Sequence, residues 1–395
     1  MCKVPSIQRL TGDYALNSVS KTDKKFMMQA LKLASCGLYT SYPNPPVGCV
    51  IVKDGKVIGK GYHHKAGQPH AEIMALKDAN YDVEGATAYV TLEPCSHYGR
   101  TPPCALKLVE MKVARVVVAA GDPNPQVCGR GFEILRKAGI EVVEHVLEKK
   151  SLFLNRAFFK AITGDYPYVS VKVGMSLDAK TALANGQSKW ITNDRCRAKV
   201  QDIRAKSDCI ITGVNTVIAD NPQMNVRYEN FSEKKLAKID KEFIRQPLKV
   251  ILDTKGILEL NRYQIFSSGD VLWVNGTEDA SKYLKEEKLT EHVTRLLVPV
   301  KNGHTDIETV LRYLGTLKIR RVMVEAGQKL TSAFINENFC DEIYAFISGK
   351  MLGSDGQNAF SIENALSLDN CRQFYLHKCR KIGSDVLLHY TSVQY

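Results

Sequence analysis

The sequence of 395 residues has no apolar run approaching the roughly 18–20 residues needed to cross a membrane. Its N-terminal segment, MCKVPSIQRLTGDYALNSVSKTDKK, also has no unbroken apolar stretch of the kind found in signal peptides. Eleven cysteines in a chain without an export signal favour reduced thiols. We therefore expect a cytoplasmic protein without a membrane partner, in which residues 1–21 form a polar leader.

Low-complexity segments and repeats of fixed period are likewise absent, and the composition is typical of a globular protein. The length is too great for one ordinary core, which indicates two domains. The net charge of +12 is spread among acidic residues, as in SEKKLAKIDKEFIR. A surface of this kind suits a small phosphorylated ligand, and we do not expect a nucleic-acid partner.

Strand and helix patterns alternate through both halves, which predicts α/β sheets covered on both faces. Near the start, VGCVIVKDGKVIGKGYH predicts a hairpin that turns at Asp54-Gly55. A second set of apolar strands begins at YVSVKVGMS and extends to DEIYAFIS. We place the first domain at residues 22–150, a helical connector at 151–165 and the second domain at 166–395.

Two stretches of the first half, GQPHAEIMALKDAN and TLEPCSHYGRTPPCALKL, supply the donor set of a catalytic zinc site. His70, Cys95 and Cys104 offer the imidazole and thiolates that zinc prefers, and three protein ligands leave a fourth position for water. Glu72 is suited to carry protons between that water and a substrate. The order H-x-E followed by P-C and a second cysteine is the signature of zinc deaminases, although here the second cysteine comes nine residues later.

Zinc at this site predicts hydrolysis of a ring amine to a ring carbonyl, with Glu72 passing protons to the ring and to the departing ammonia. His63, His64 and His97 are rival ligands by position. We expect His97 to hold substrate, and His63 and His64 to lie on the surface or the pocket wall. Asn44, in YPNPPVGCVIV, either binds the heterocycle or simply forms a turn. The simplest alternative is a helix with a surface histidine and two buried thiols.

The second half has no G-x-G-x-x-G at a strand-to-helix turn, which excludes a Rossmann fingerprint. It does contain RRVMVEAGQKLTSAFINE, an apolar strand followed by a glycine turn and a helix. Backbone N–H groups at such a helix start can hold a phosphate, but many α/β loops share this pattern.

From about residue 22 onward, the chain resembles the bifunctional deaminase–reductases of bacterial riboflavin biosynthesis. The resemblance rests on HAEIMAL, TLEPCSHYGRTPPC, DPNPQVCGRG, VKVGMSLDAKTA, WITN, TGVNTVIADNP and VEAGQKL. It implies a cytidine-deaminase-like α/β/α domain followed by a dihydrofolate-reductase-like α/β domain. It also implies deamination of 2,5-diamino-6-ribosylamino-4(3H)-pyrimidinone 5′-phosphate, then reduction of the ribosyl group by NADPH to give 5-amino-6-ribitylamino-uracil 5′-phosphate. Family members are commonly dimers or tetramers.

Carried over residue by residue, the resemblance assigns zinc to His70, Cys95 and Cys104, and proton transfer to Glu72. The positions it implies for NADPH are Gly174, Trp190, Thr216, Asp220, Thr254, Gly327, Gln328, Lys329, Leu330, Thr331, Ser332 and Ala333. The positions it implies for the ribose-phosphate substrate are Ser188, Arg204, Met224, Arg227 and Glu325.

These assignments are chemically reasonable, because arginine forks such as those of Arg204 and Arg227 clamp phosphates and Trp190 offers a wall for a flat ring. Lys172 and Asp178 are further candidates for holding substrate or delivering a proton, although Lys172 would also suit a structural ion pair. Many relatives have glycine where this chain has Ala179, and a left-handed backbone there would be strained. The sequence identifies no contact for the 2′-phosphate of NADPH.

Three alternatives remain open on the sequence. One is a different zinc deaminase, acting on a free nucleotide or on tRNA and fused to an unrelated domain. The second is a binding module in which zinc is structural, which would require a fourth protein ligand. The third is a degenerate enzyme with one inactive half.

Overall fold

The computed structural model describes residues 19–98, 102–124, 127–363 and 367–395. The chain forms two compact units. The first takes in the chain up to Gly164 together with residues 233–244 and Tyr395, and the second comprises Asp165–Ser232 and Arg245–Gln394. Most of the expected leader lies outside the described residues. Within the described ranges, no helix combines the length and the apolar character that a membrane span requires.

The first unit contains a sheet with helices around it. Its helices are α1 (Lys21–Ala34), α2 (Ala71–Asp78), α3 (Cys104–Glu110), α4 (Arg130–Lys137) and α5 (Glu148–Thr163). Its strands are β1 (Gly48–Lys53), β2 (Lys56–Tyr62), β3 (Thr87–Val90), β4 (Arg115–Val118) and β5 (Glu141–Val143), in the order β2-β1-β3-β4-β5. The pairs β1–β2 and β1–β3 are antiparallel, whereas β3–β4 and β4–β5 are parallel.

The β1–β2 hairpin turns at Asp54 and Gly55, both with positive φ, as the sequence predicts. Helix α2 packs closely on this hairpin because Gly61 has no side chain. A Cβ on Gly61 would lie 2.5 Å from the Ala71 carbonyl oxygen. One face of the sheet buries a core with α2, α3 and α4, and the other face packs on α1. This arrangement brings the N-terminal ends of α2 and α3 to the same region of the unit.

The second unit is built on a larger sheet. Its strands are β6 (Tyr168–Met175), β7 (Lys180–Ala182), β8 (Cys209–Gly213), β9 (Leu248–Leu252), β10 (Val271–Thr277), β11 (Glu286–Lys288), β12 (Val293–Lys301), β13 (His304–Thr305), β14 (Arg321–Val324), β15 (Glu342–Ile347), β16 (Gln357–Asn358), β17 (Tyr375–Ile382) and β18 (Asp385–Thr391). Its helices are α6 (Asp194–Ala205), α7 (Val214–Asp220), α9 (Ile307–Thr316) and α10 (Gln328–Asn336), while α8 (Glu233–Leu236) belongs to the first unit.

The large sheet has the order β11-β12-β10-β9-β8-β14-β6-β15-β18-β17. Its central strands, from β12 across to β15, are all parallel. The carboxyl ends of parallel strands meet at one edge of a sheet, where open α/β sheets bind their ligands. The segments that follow β8, β9 and β14, which carry Thr216, Thr254 and Glu325, therefore gather at that edge.

The expected α/β architecture is confirmed, and the strands predicted from YVSVKVGMS to DEIYAFIS are present. The sequence did not predict the antiparallel pair β17–β18 that ends the sheet. Nine cysteines of the described residues are free thiols.

The sequence also did not predict the strap, residues 233–244, which interrupts the second unit and packs with the first. Asp240 Oδ2 lies 2.6 Å from His64 Nδ1, and His64 stacks on Tyr62 with ring centroids 4.0 Å apart. The Lys65 ammonium lies over the Phe243 ring at 5.1 Å. The strap thus contacts the residues that directly follow β2.

Candidate active sites

His70, Cys95 and Cys104 converge in the first unit. His70 is the N-cap residue of α2, and Cys104 is the first residue of α3. His70 Nδ1 lies 3.5 Å from Cys95 Sγ and 3.4 Å from Cys104 Sγ. The Cys104 backbone N–H donates to Cys95 Sγ at 3.2 Å, which fixes the relative placement of the two cysteines. Among the described residues, these three form the one group with metal-ligand spacing.

The triangle of donor atoms fits zinc. Zinc–sulfur bonds of about 2.3 Å and zinc–nitrogen bonds of about 2.0–2.1 Å place tetrahedral N and S ligands roughly 3.6 Å apart. The observed N···S distances of 3.4 and 3.5 Å agree with that value. The chemistry also agrees, because hydrogen bonding from Cys104 is the largest of the effects that lower the pKa of Cys95 to about 4, with His70 contributing.

Glu72 lies in the same first turn of α2 as His70 and is buried. Burial raises its pKa to about 7, an effect that His70 opposes and Cys95 reinforces. A carboxyl group with a pKa near neutrality accepts and returns protons readily. The predicted ligands and the predicted proton carrier are therefore brought together.

The neighbouring histidines lie apart from the donor triangle. His63 is buried, with its ring edge-on to that of His70 at 5.3 Å. Its Nε2 lies 3.1 Å from Asn44 Nδ2, so these two residues together form a wall beside the site. Burial lowers the pKa of His63 to about 4, which keeps its ring neutral. His64 instead contacts Asp240, and His97 is exposed on a loop whose residues 99–101 lie outside the described residues.

Sequence reasoning missed Glu93 and Asp122. The buried Glu93 carboxylate accepts the backbone N–H groups of Gly131 at 2.9 Å and Gly129 at 3.0 Å. It thereby anchors the loop before α4 against the segment that carries Cys95. Asp122, on that loop, has a pKa raised to about 6 by burial, and its charge interacts with His97 and Cys95. For Glu93, the sequence signal that could have identified it was its position directly before Pro94-Cys95.

In the second unit, Glu325 follows β14 and pairs with two cations. Its Oε2 accepts from Arg204 Nε at 2.8 Å, and its Oε1 accepts from Arg204 Nη2 at 2.9 Å and from Lys172 Nζ at 3.3 Å. Burial would raise the pKa of Glu325, but Arg204 and Lys172 hold it at about 2. The fork of Arg204 thus binds Glu325, whereas the sequence suggested a phosphate clamp.

One of the remaining expected substrate positions, Met224, contacts this cluster. Met224 is buried, with Sδ 3.7 Å from Arg204 Nη2, and Arg204 Nη1 donates to the Asn225 carbonyl at 3.1 Å. Arg227 has an exposed side chain, while its backbone N–H donates to Gln201. Ser188 is partly buried in the segment before Trp190.

A cavity of about 530 Å³ opens at the carboxyl edge of the parallel strands. The expected cofactor positions that line it are Thr216, Thr254, Gly327, Gln328, Lys329, Leu330 and Ala333. Thr216 Oγ1 accepts the Gly327 N–H at 3.2 Å, which orients the start of α10. Thr331 and Ser332 are buried and bond to the Ala326 carbonyl and the Ser361 N–H instead.

Gly174, Trp190 and Asp220 lie outside the cavity lining. The Trp190 ring is exposed, with the Arg197 guanidinium over it at 4.4 Å, and its carbonyl accepts from Lys350. Asp220 ends α7, with Oδ1 4.0 Å from Lys189 Nζ. Sequence reasoning missed five residues in and beside the β12–β13 turn that line the cavity, namely Lys301, Asn302, His304, Thr305 and Asp306. The Asn302-Gly303 dipeptide predicts that turn but not its position.

Asp178 and Ala179 close a loop near this edge. The Asp178 carboxylate accepts the N–H groups of Leu352 and Gly353, so its role in the structure is to hold two loops together. Ala179 has φ 57° and therefore occupies the left-handed region that favours glycine. The strain expected for alanine at this position is therefore present, since the left-handed backbone conformation costs a residue with a Cβ about 1–2 kcal/mol of conformational free energy.

Comparison with known proteins identifies both units. Residues 20–120 match the family described as the cytidine and deoxycytidylate deaminase zinc-binding region, and residues 167–388 match the RibD C-terminal domain. The riboflavin biosynthesis protein RibD of Escherichia coli (strain K12) is 41% identical over 367 residues, covering 93% of this chain and 98% of that protein. RibD of Aquifex aeolicus (strain VF5) is 37% identical, covering 94% and 99%.

Solved structures agree over the same length. Acinetobacter baumannii RibD, form 1, is 41% identical with a TM-score of 0.82, covering 95% of this chain and 99% of that chain. A diaminohydroxyphosphoribosylaminopyrimidine deaminase/5-amino-6-(5-phosphoribosylamino)uracil reductase from Thermotoga maritima is 35% identical with a TM-score of 0.81. It covers 94% of this chain and 98% of its own.

Proposed function

The chain belongs to the RibD family of bifunctional riboflavin biosynthesis enzymes, and we propose that the residues described above carry out its two reactions. The first is hydrolytic deamination of 2,5-diamino-6-ribosylamino-4(3H)-pyrimidinone 5′-phosphate. The second is NADPH-dependent reduction of the ribosyl side chain to 5-amino-6-ribitylamino-uracil 5′-phosphate. The observation that carries the proposal is the donor triangle of His70, Cys95 and Cys104 beside buried Glu72, in a chain that matches RibD proteins over nearly its full length.

In the deaminase unit, His70, Cys95 and Cys104 would hold zinc, which when bound makes water a nucleophile at neutral pH. Glu72 accepts a proton from the attacking water and gives it to the pyrimidine ring nitrogen, and it then carries a second proton from the added hydroxyl group to the departing amine. Asn44 and His63 form the wall that orients the ring, with the Asn44 amide held by neutral His63. Hydrolysis balances as water plus ring amine giving ring carbonyl plus ammonia.

In the reductase unit, the cavity would hold NADPH, which supplies a hydride when bound. The N–H groups at the start of α10 suit its pyrophosphate, because Thr216 orients Gly327 there. Lys172 is the proton donor on the substrate side, and its ammonium group is positioned by Glu325. Arg204 holds Glu325 in place, which leaves exposed Arg227 to meet the substrate phosphate.

We also propose that the enzyme is a homo-oligomer. Strand β17 ends the large sheet, and Tyr375–Lys381 are exposed along it. Within the part of the chain that the structure describes, β17 pairs with β18 alone. An exposed edge strand of this length is a template for pairing with a second copy. Sedimentation of the protein and of a Leu376→Pro variant tests this, since an oligomer built on β17 should dissociate in the variant.

Cytoplasmic location is a further part of the proposal. It is supported by the phosphorylated small-molecule substrate and by the nine free thiols. Fractionation of cells, followed by detection of the chain, tests it directly.

The main experiment supplies the diaminopyrimidinone ribosyl phosphate to zinc-loaded protein, first without and then with NADPH. We expect ammonia release without NADPH, followed by NADPH oxidation when it is added. Ammonia release without any NADPH consumption would refute the reductase half of the proposal. The absence of both signals from zinc-loaded protein would favour a different nucleotide or a tRNA substrate.

The Glu72→Gln variant separates the proton carrier from the metal ligands. It should retain zinc and NADPH oxidation with pre-deaminated substrate, while deamination falls by roughly 10²–10⁴-fold. Glu110→Gln on the exposed surface of α3 is the matched control. Deamination in Glu72→Gln at the wild-type rate would contradict the role of Glu72.

A further inference from the structure

We infer that the β12–β13 turn, residues 301–304, recognises the 2′-phosphate of NADPH, with Lys301 as the main anion-binding residue. The inference rests on the proposed function, because it requires that the 530 Å³ cavity of the second unit holds the cofactor. It addresses which residues of this chain select NADPH over NADH.

The expected position of the nicotinamide determines how the cofactor is oriented in the cavity. Glu325 and Lys172, which face the substrate, lie next to the start of α10 at Gly327. The cavity continues from Gly327 along α10 to Asn336 and Glu337. Ten residues of helix rise about 15 Å. With the nicotinamide near Glu325 and the pyrophosphate at Gly327, the adenosine must extend toward the opposite end.

The β12–β13 turn forms that opposite end. Lys301, Asn302, His304 and Thr305 all line the cavity. Thr305 N–H donates to Thr254 Oγ1 at 3.0 Å, which fixes the turn against the loop after β9. Asn302 and Gly303 both have positive φ, and a Cβ on Gly303 would meet no atom within 4 Å, so the turn is open to a ligand. The turn presents a lysine, a histidine and an amide, all of which can donate to a phosphate.

Two carboxylates compete for Lys301, and their geometry leaves it available. Lys301 Nζ lies 3.5 Å from Glu337 Oε2 and 3.9 Å from Asp306 Oδ1, both long for a charged pair. The other Asp306 oxygen, Oδ2, caps α9 by accepting from the backbone and hydroxyl of Thr309. The Lys301 side chain is 54% exposed, so it can turn toward a ligand without breaking a buried contact.

The competing interpretation assigns the same end of the cavity to NADH. Asp306 Oδ1 is buried and has no hydrogen-bond partner within the described residues. A carboxylate oxygen is the usual acceptor for a free ribose 2′-hydroxyl. Lys301 and Asp306 therefore predict opposite preferences, and a binding measurement decides between them.

The test measures binding of 2′,5′-ADP and 5′-ADP to the full-length protein by titration calorimetry. These probes differ only in the 2′-phosphate. We expect wild type to prefer 2′,5′-ADP. Lys301→Ala should weaken binding of 2′,5′-ADP by about 10–100-fold, the range for a charged hydrogen bond, and should leave 5′-ADP unchanged. His304→Ala should produce a smaller loss of the same kind.

Lys288→Ala is the matched control, because Lys288 is an exposed lysine of β11 in the same unit and its loss changes the net charge equally. Equal affinity of wild type for the two probes would overturn the inference in favour of Asp306. Equal weakening of both probes by Lys301→Ala, or no weakening, would also overturn it. If wild type binds neither probe, the assignment of this cavity to the cofactor is refuted. If the assignment is correct, Ala333→Phe, which fills the cavity, should abolish binding of both probes.

Discussion

The two sites of this enzyme are specified in different ways. The proposed zinc site consists of three side chains from residues 70–104, whose donor atoms all lie within 4.8 Å of one another. The cavity proposed for the cofactor of the reductase is lined instead by residues spread from Gly213 to Glu363. A few side chains close together in the sequence therefore define the first site, whereas contributions from many distant positions define the second. Single substitutions should abolish the first activity but only weaken the second.

The largest effect is expected for Cys104→Ser. Loss of a thiolate ligand should release zinc, and deamination should fall by more than roughly 100-fold, since changing only the partners of metal ligands already costs 10–100-fold. Binding of 2′,5′-ADP should be unchanged. Zinc content by atomic absorption and ammonia release measure the effect. Cys36→Ser, a partly buried thiol outside the donor triangle, is the control. Full zinc occupancy in Cys104→Ser would contradict the assignment.

Glu325→Gln tests whether the reductase site depends on one ion cluster. The substitution leaves Arg204 and Lys172 without their buried counterion, which costs about 3–5 kcal/mol in the free energy of unfolding. Urea unfolding of the second unit and NADPH oxidation should both show the loss, while ammonia release stays at the wild-type rate. Glu287→Gln, which removes the exposed pair with Arg295, should cost under about 1 kcal/mol. Equal costs for the two variants would be inconsistent with a buried cluster.

Gly131→Ala tests the anchor behind the zinc site. A Cβ at Gly131 would lie 2.2 Å from the Pro94 carbonyl oxygen, directly before Cys95. The clash should cost about 1–3 kcal/mol and lower the rate of deamination by displacing Cys95. Gly121→Ala, in the loop before α4, is the control, because the atom nearest to its Cβ would be Glu93 Oε2 at an ordinary 3.7 Å. Thermal unfolding and ammonia release together distinguish the two variants.

The smallest effect concerns acid stability of the deaminase scaffold. Burial alone would raise the pKa of Asp23, but Arg115, Ser20 and Tyr89 lower it from 3.8 to about 2. Because the folded pKa lies below the unfolded value, the stabilisation is complete above about pH 4 and is lost as pH falls through about 2. Asp23→Asn should lose up to about 2 kcal/mol at neutral pH. Unfolding of wild type and variant at pH 6 and pH 3 should show a difference that shrinks at the lower pH. A difference independent of pH would show that packing, not charge, stabilises this pair.

The sequence was sufficient to predict the α/β architecture and most strands along the chain, and it singled out His70, Cys95 and Cys104 as a candidate zinc site. Metal ligands are rare residue types at constrained spacing, so His70, Cys95 and Cys104 could be identified before their convergence was known. Hydrophobic periodicity likewise indicated the parallel strands. The sequence was not sufficient for Arg204, whose fork is occupied by Glu325, a partner 121 residues away. It was also insufficient for Lys301, which reaches the cavity only because β12 runs beside β10. Both depend on tertiary pairing that local pattern does not encode.

The strap has a consequence for any attempt to divide the protein into its two activities. Residues 233–244 complete the deaminase unit, yet both flanking segments belong to the reductase unit. A chain shortened to its first 164 residues would lack Asp240 beside His64 and Phe243 beside Lys65. During synthesis on the ribosome, the deaminase unit likewise lacks the strap until residue 244 has left the exit tunnel. The two units are thus synthesised in alternating segments, although their two reactions follow one another in sequence.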